Sequence, residues 1–144
     1  MENIVDKFLR YVSVETTSNE AGEGQPSSEC QWNLLNMLKD ELTAMGVETT
    51  IDQWGYVMGT IPSNIDKKVP VVGFIAHVDT APDASGKDIK PNIIENYNGE
   101  DILLNAESGV KIPVADFPEI KQYKGQTLIT TDGTTLLGAD DKTG

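Results

Sequence analysis

Ile4, Val5, Phe8, Leu9 and Val12 recur at the three- and four-residue spacing that places apolar side chains on one face of a helix. The β-branched and polar run Val14-Glu-Thr-Thr-Ser18 breaks that period, so the pattern predicts a first helix over residues 2–13. A loop punctuated by Gly22, Gly24 and Pro26 follows. Ser28, with Gln31 three residues on, then reads as a capping box opening a second helix. Leu34, Leu35, Leu38, Leu42 and Met45 form the expected buried stripe of that helix, and Gly46 stands where a left-handed C-terminal cap favours glycine.

Beyond Gly46 the pattern becomes that of strands. Residues 47–53 and 56–61 flank Trp54-Gly55 and predict a hairpin. Val69-Pro-Val-Val-Gly-Phe-Ile-Ala76 is almost continuously apolar, the mark of a central strand covered on both faces by helices. Scattered Gly, Pro and Asn between residues 82 and 126 leave only short strand candidates, at Ile93-Ile94, 102–104 and 112–114. The last strands are expected at 127–131 and 134–137, around an Asp132-Gly133 turn of hairpin type. Two helices ahead of a central strand predict an α/β layered fold.

Charge narrows the function classes. With 11 Lys plus Arg against 23 Asp plus Glu, the 144-residue chain carries a formal charge of −12. Such a surface repels phosphate backbones and anionic lipid, which argues against nucleic-acid and membrane partners and in favour of cations, metals above all. The length suits one domain. A lone cysteine, Cys30, cannot form an intramolecular disulfide, and no Asn-x-Ser/Thr acceptor occurs, so a reduced, cytoplasmic setting is expected. Charged residues interrupt the apolar N-terminal positions, and no later run reaches the length of a membrane span.

Two clusters carry candidate chemistry. The sole histidine lies in Ala76-His77-Val78-Asp79-Thr80, at the C-terminal end of the expected central strand, where ligands bind in open α/β sheets. Strand alternation places His77 and Asp79 on one side, so the carboxylate can orient the imidazole by accepting its second N–H. The same tripeptide also reads as an exposed histidine with an acidic neighbour in a turn. The second cluster is Gly138-Ala-Asp-Asp-Lys-Thr-Gly144. Adjacent carboxylates repel and invite a cation, yet a glycine-bracketed Asp-Asp-Lys is also an ordinary solvated turn with a local ion pair. Cys30 reads as a core residue of the second helix. Gly-x-Gly-x-x-Gly and the Walker lysine loop are both absent, which disfavours dinucleotide and P-loop chemistry. A catalytic zinc needs about three protein ligands, and one His and one Cys cannot supply them without carboxylates or residues outside this chain.

Several strings together carry a family resemblance: Tyr11-Val-Ser-Val-Glu-Thr16, Gly73-Phe-Ile-Ala-His-Val-Asp-Thr80, Pro82-Asp-Ala-Ser-Gly-Lys87, Ile94-Glu-Asn-Tyr-Asn-Gly99, and Gln126-Thr-Leu-Ile-Thr-Thr-Asp-Gly133 with Leu136-Leu-Gly-Ala-Asp-Asp-Lys142. They resemble the peptidase T family of tripeptide aminopeptidases, di-zinc exopeptidases related to carboxypeptidase G and the aminoacylases. The resemblance implies that residues 1–144 are the N-terminal part of a three-layer zinc-exopeptidase catalytic domain. That domain has a mixed central sheet flanked by helices; here it would be truncated after the Gly-Ala-Asp-Asp-Lys motif and lack the smaller lid domain. Two zinc ions per full-length chain and tripeptide substrates are implied, and a homodimer of the whole enzyme is compatible.

By the same resemblance, His77 matches a ligand to one zinc, Asp140 the carboxylate bridging both, and Asp79 the acid that steadies the histidine. Asp141 follows the bridging residue, through a bond that is cis in the related enzymes; without metal it is expected to be trans or poorly ordered. A Glu-Glu pair, a further Asp and a final His are implied but cannot be located in the chain, which is therefore expected to be inactive by itself. The alternatives are another exopeptidase or deacylase of the superfamily (dipeptidase, carboxypeptidase or N-acyl amino acid hydrolase), and a non-catalytic acidic module that binds a cation or a partner protein.

Overall fold

Asn3 starts the first helix: its side-chain carbonyl accepts from the Asp6 N–H at 2.9 Å, satisfying a donor that has no partner within the helix. The computed structural model describes residues 2–144, and this helix, α1, spans Ile4–Val12. It buries Val12 completely and ends at Ser13, whose hydroxyl donates to the Leu9 carbonyl at 2.7 Å. The second helix, α2, spans Gln31–Ala44. Gly46, at φ +80°, closes it: the Gly46 N–H donates to the Thr43 carbonyl at 2.9 Å and the Val47 N–H to the Leu42 carbonyl at 3.0 Å, the paired bonds of a Schellman cap.

Two expectations about α2 need correction. Ser28 is not its cap, because its hydroxyl is spent on the Thr17 carbonyl at 2.5 Å, while the Gln31 amide reaches back to Ser27 and Ser28, both at 3.1 Å. Met45 is not buried but 64% exposed, since it lies past the helix end.

That hairpin forms as the alternation predicts. Strand β1, Glu48–Ile51, pairs antiparallel with β2, Val57–Thr60, with Glu48 opposite Thr60 and Ile51 opposite Val57. Asp52 organises the turn by accepting from the Trp54 and Tyr56 N–H groups at 2.9 Å. Gly55, at φ +82°, is buried where a Cβ would stand 2.7 Å from Pro26 Cγ and 2.9 Å from Leu35 Cδ1.

The remaining strands pair locally or by a single return. β3, Pro91–Ile94, pairs antiparallel with β6, Leu128–Thr131, and β4, Ile102–Asn105, with β5, Val110–Ile112. A 3₁₀ helix at Pro118–Tyr123, which the pattern did not suggest, leads into β6. The expected closing hairpin is absent because β6 takes β3 as its partner; residues 132–138 instead turn away, with the Leu136 N–H donating to the Ser85 carbonyl at 3.0 Å.

The largest departure is the apolar run 69–76, which forms no strand. Its residues are exposed, Val71 at 98%, Phe74 at 96% and Ile75 at 101%. A central strand is made by neighbours on both edges and layers on both faces, and the strands of this chain are used up in three separate two-stranded sheets. The molecule is thus mixed α and β, without a continuous central sheet. It exposes 10299 Å², whereas a compact monomer of 15.7 kDa exposes about 7,300 Å² by surface-to-mass scaling. Among the described residues no helix is long and apolar enough to cross a membrane.

Candidate functional site

Although 69–76 is unpaired, the segment just after His77 is held firmly. Thr80 forms a parallel bridge with Thr17: the Thr80 N–H donates to the Thr16 carbonyl at 3.1 Å and the Ser18 N–H to the Thr80 carbonyl at 2.9 Å. Both Thr16 and Thr80 are fully buried. The exit of α1 therefore fixes the histidine segment from behind, three residues from the imidazole.

The acidic loop arrives from the other side. Gly138, at φ +65°, takes the left-handed turn that opens the short helix α3, Ala139–Thr143, and a Cβ there would stand 2.9 Å from Thr80 Cγ2. Glycine lets the two backbones approach this closely. Asp140 and Asp141 occupy the first turn of α3, and the bond between them is trans, since the one cis peptide bond among the described residues is Gln25–Pro26.

His77 has a carboxylate near each ring nitrogen. Its Nδ1 lies 3.0 Å from Asp79 Oδ1 and its Nε2 3.4 Å from Asp141 Oδ1. The His77 and Asp79 side chains are 62% and 47% exposed, Asp141 only 21%, so the pairs lie at a mouth open to solvent. The Asp79 carboxylate bonded to it holds the imidazole above its ordinary range; partial burial opposes this, and the Asp141 charge adds to it. Behind the cluster an open crevice of about 440 Å³ is floored by Phe8, Tyr11, Leu34 and Leu38.

Of the three residues singled out in the sequence, the structure brings His77 and Asp79 together. Asp140 stays exposed, and the carboxylate that meets Nε2 is Asp141. The arrangement suits a cation in kind: one imidazole nitrogen is held by a carboxylate, as on metal-bound histidine, and the other faces a second carboxylate. In number it falls short, because among the described residues no group of three or more His, Cys, Asp or Glu side chains is placed to hold a metal ion.

Lys142, which the sequence suggested as the cation of a local ion pair in a solvated turn, takes a different place. It makes no local ion pair; it is 7% exposed, and its ammonium donates to Thr16 Oγ1 at 2.6 Å. Burial pushes its pKa down, opposed by the nearby carboxylates of Asp141 and Asp79. The available signal was its place directly after two carboxylates in a glycine-bracketed loop.

No protein-family model matches the chain. Individual proteins do. A peptidase T of Clostridium novyi (strain NT) is 57% identical over 145 residues, covering all of this chain and 36% of that protein. The corresponding protein of Halothermothrix orenii is 54% identical over 145 residues, with the same coverage. That of Geobacillus kaustophilus (strain HTA426) is 53% identical over 144 residues, covering 99% of this chain and 35% of the relative. The chain is similar to these peptidase T proteins along its whole length. It spans about 36% of the length of the peptidase T proteins it matches. The resemblance read from the short strings thus extends over the helices and hairpins between them.

Proposed function

We propose that residues 1–144 are the N-terminal part of the catalytic domain of a zinc-dependent tripeptide aminopeptidase that removes the N-terminal residue of its substrate in the cytoplasm. The observation that carries this reading is the whole-length match to peptidase T at 52–57% identity. The bonded His77–Asp79 pair, facing a carboxylate of the acidic loop, supports it. Two zincs are part of the proposal, with His77 and Asp140 as their holders in this chain.

When bound, zinc supplies Lewis acidity, polarising a scissile carbonyl and making water nucleophilic at neutral pH. The chain's own residues prepare for this. Asp79, by occupying Nδ1, fixes the ring orientation and leaves Nε2 as the donor. Asp140, exposed on the first turn of α3, is free to accept a cation from the solvent side. The negative charge of −12 attracts cationic N-termini as well as metals. The finer architecture, a three-layer domain around a mixed central sheet, belongs to the same proposal. The apolar run 69–76, bare in this chain, supports it because such a surface calls for cover.

The test uses a full-length protein carrying this sequence, assayed with free tripeptides, N-acyl amino acids and longer peptides alongside metal analysis. Release of the N-terminal residue from tripeptides with two zincs per chain is expected. Deacylation or C-terminal release in its place, or a protein devoid of metal, would overturn the reading.

A further inference from the structure

The Lys142 ammonium sits where three segments meet. Its bond to Thr16 Oγ1 at 2.6 Å joins positions 126 residues apart. Thr16 in turn holds Thr80, three residues beyond His77, through the Thr80 N–H at 3.1 Å. Gly138, at the start of the acidic loop, lies against the same place: a Cβ there would be 2.9 Å from Thr80 Cγ2 and 3.7 Å from Lys142 Nζ. A buried ammonium is costly unless bonded, so the loop is not free to swing this side chain outward and inward at will. Successive residues of a helical turn point about 100° apart. With Lys142 directed inward, Asp141 meets His77 Nε2 and Asp140 stays at the surface.

We propose that Lys142 is a positioning residue, whose anchorage on Thr16 sets the rotation of the acidic loop and thereby which of its two carboxylates faces His77. The inference bears on the same site as the proposed function, in which Asp140 is the metal-holding carboxylate, but it concerns the metal-free chain, where Asp141 faces His77, and its geometry does not depend on metal. A lysine that merely fills space would serve the fold equally well with any rotation of the loop.

The test follows the imidazole signals of His77 in the metal-free chain by NMR at one fixed pH. Asp141→Asn gives the shift produced when the facing carboxylate is lost. Lys142→Met, which keeps length and drops the ammonium, is expected to move the His77 signals in the same direction by at least half as much, and Lys142→Met with Asp141→Asn to add nothing further. Thr16→Val should reproduce the effect and Thr16→Ser restore the parent spectrum. Unmoved His77 signals in Lys142→Met, or full additivity with Asp141→Asn, would overturn the proposal. Should Lys142→Met lose the dispersed amides of residues 48–60, and with them the fold, Thr16→Val against Thr16→Ser decides: a shift in the first alone supports the proposal, and equal spectra refute it. Failure of the metal reading shows separately, as cobalt binding that His77→Ala leaves unchanged.

Discussion

At the scale of single residues, the proposed metal site gives His77 and Asp79 different duties and so different expected losses. In a full-length protein carrying this sequence, His77→Ala leaves an open coordination position, and both zinc content and tripeptide turnover should fall, as read by metal analysis and assay. Asp79→Asn keeps the shape but weakens the grip on Nδ1; most of the metal should remain while turnover drops by about 10–100-fold, the usual range for a partner of a metal-bound histidine. Equal loss of metal in both variants would show Asp79 acting as a ligand itself. Gly55 is constrained by backbone and space together, at φ +82° with Pro26 and Leu35 inside 3 Å of a Cβ position. Gly55→Ala should therefore destabilise the chain by about 1–3 kcal/mol, measured as a lower denaturation midpoint with unchanged slope.

Between elements, the join of α1 to α2 is polar as well as apolar. Glu41 accepts from Arg10 and from the Tyr11 hydroxyl, and pairs with Lys7 at 3.2 Å. Partial burial of Glu41 raises its pKa, but the three bonds together outweigh it and hold the carboxyl below its ordinary value of 4.5. A group with a depressed folded pKa contributes its stability in full above the unfolded value and loses it as pH falls through the folded one. The chain should accordingly weaken on acidification below about pH 4.5, and Glu41→Gln should cost about 1 kcal/mol at neutral pH while flattening that acid limb. Denaturation midpoints across the acid range decide it. Both helices and the β1–β2 hairpin were legible in the sequence, because the apolar spacing of Ile4 to Val12, the Gly46 cap and the Trp54-Gly55 turn act within a few residues. The run 69–76 was not, since its pattern records what an interior strand requires, and no edge is offered to it here. His77 with Asp79 was readable as a two-residue spacing. Asp141 against His77, and Lys142 against Thr16, depend on chain returns that periodicity does not encode.

Across the whole molecule, the exposed area and the shortage of converging donors are both what the proposed reading, part of a larger catalytic domain, leads one to expect. Zinc should bind the 144-residue chain weakly and without two-metal stoichiometry, because among its described residues no three donors converge; calorimetry showing two tight sites would contradict this. Tripeptide hydrolysis by the chain alone should stay at the level of the blank. The bare run 69–76 has a further consequence. Val71, Phe74 and Ile75 are essentially fully exposed and lie within five residues of each other, and the backbone from 69 to 76 makes no hydrogen bond to any strand. An extended apolar segment with unpaired N–H and C=O groups is a template for pairing with another copy. The high negative charge opposes close approach, and salt screens that repulsion over about 10 Å at 0.1 M. Self-association should therefore increase with ionic strength, the reverse of an assembly held by ion pairs. Sedimentation velocity of the chain at rising salt is expected to show growing oligomers, and the double change Phe74→Ser with Ile75→Ser to keep it monomeric throughout. Association that falls with salt, or that persists in the double variant, would place the contact elsewhere on the surface.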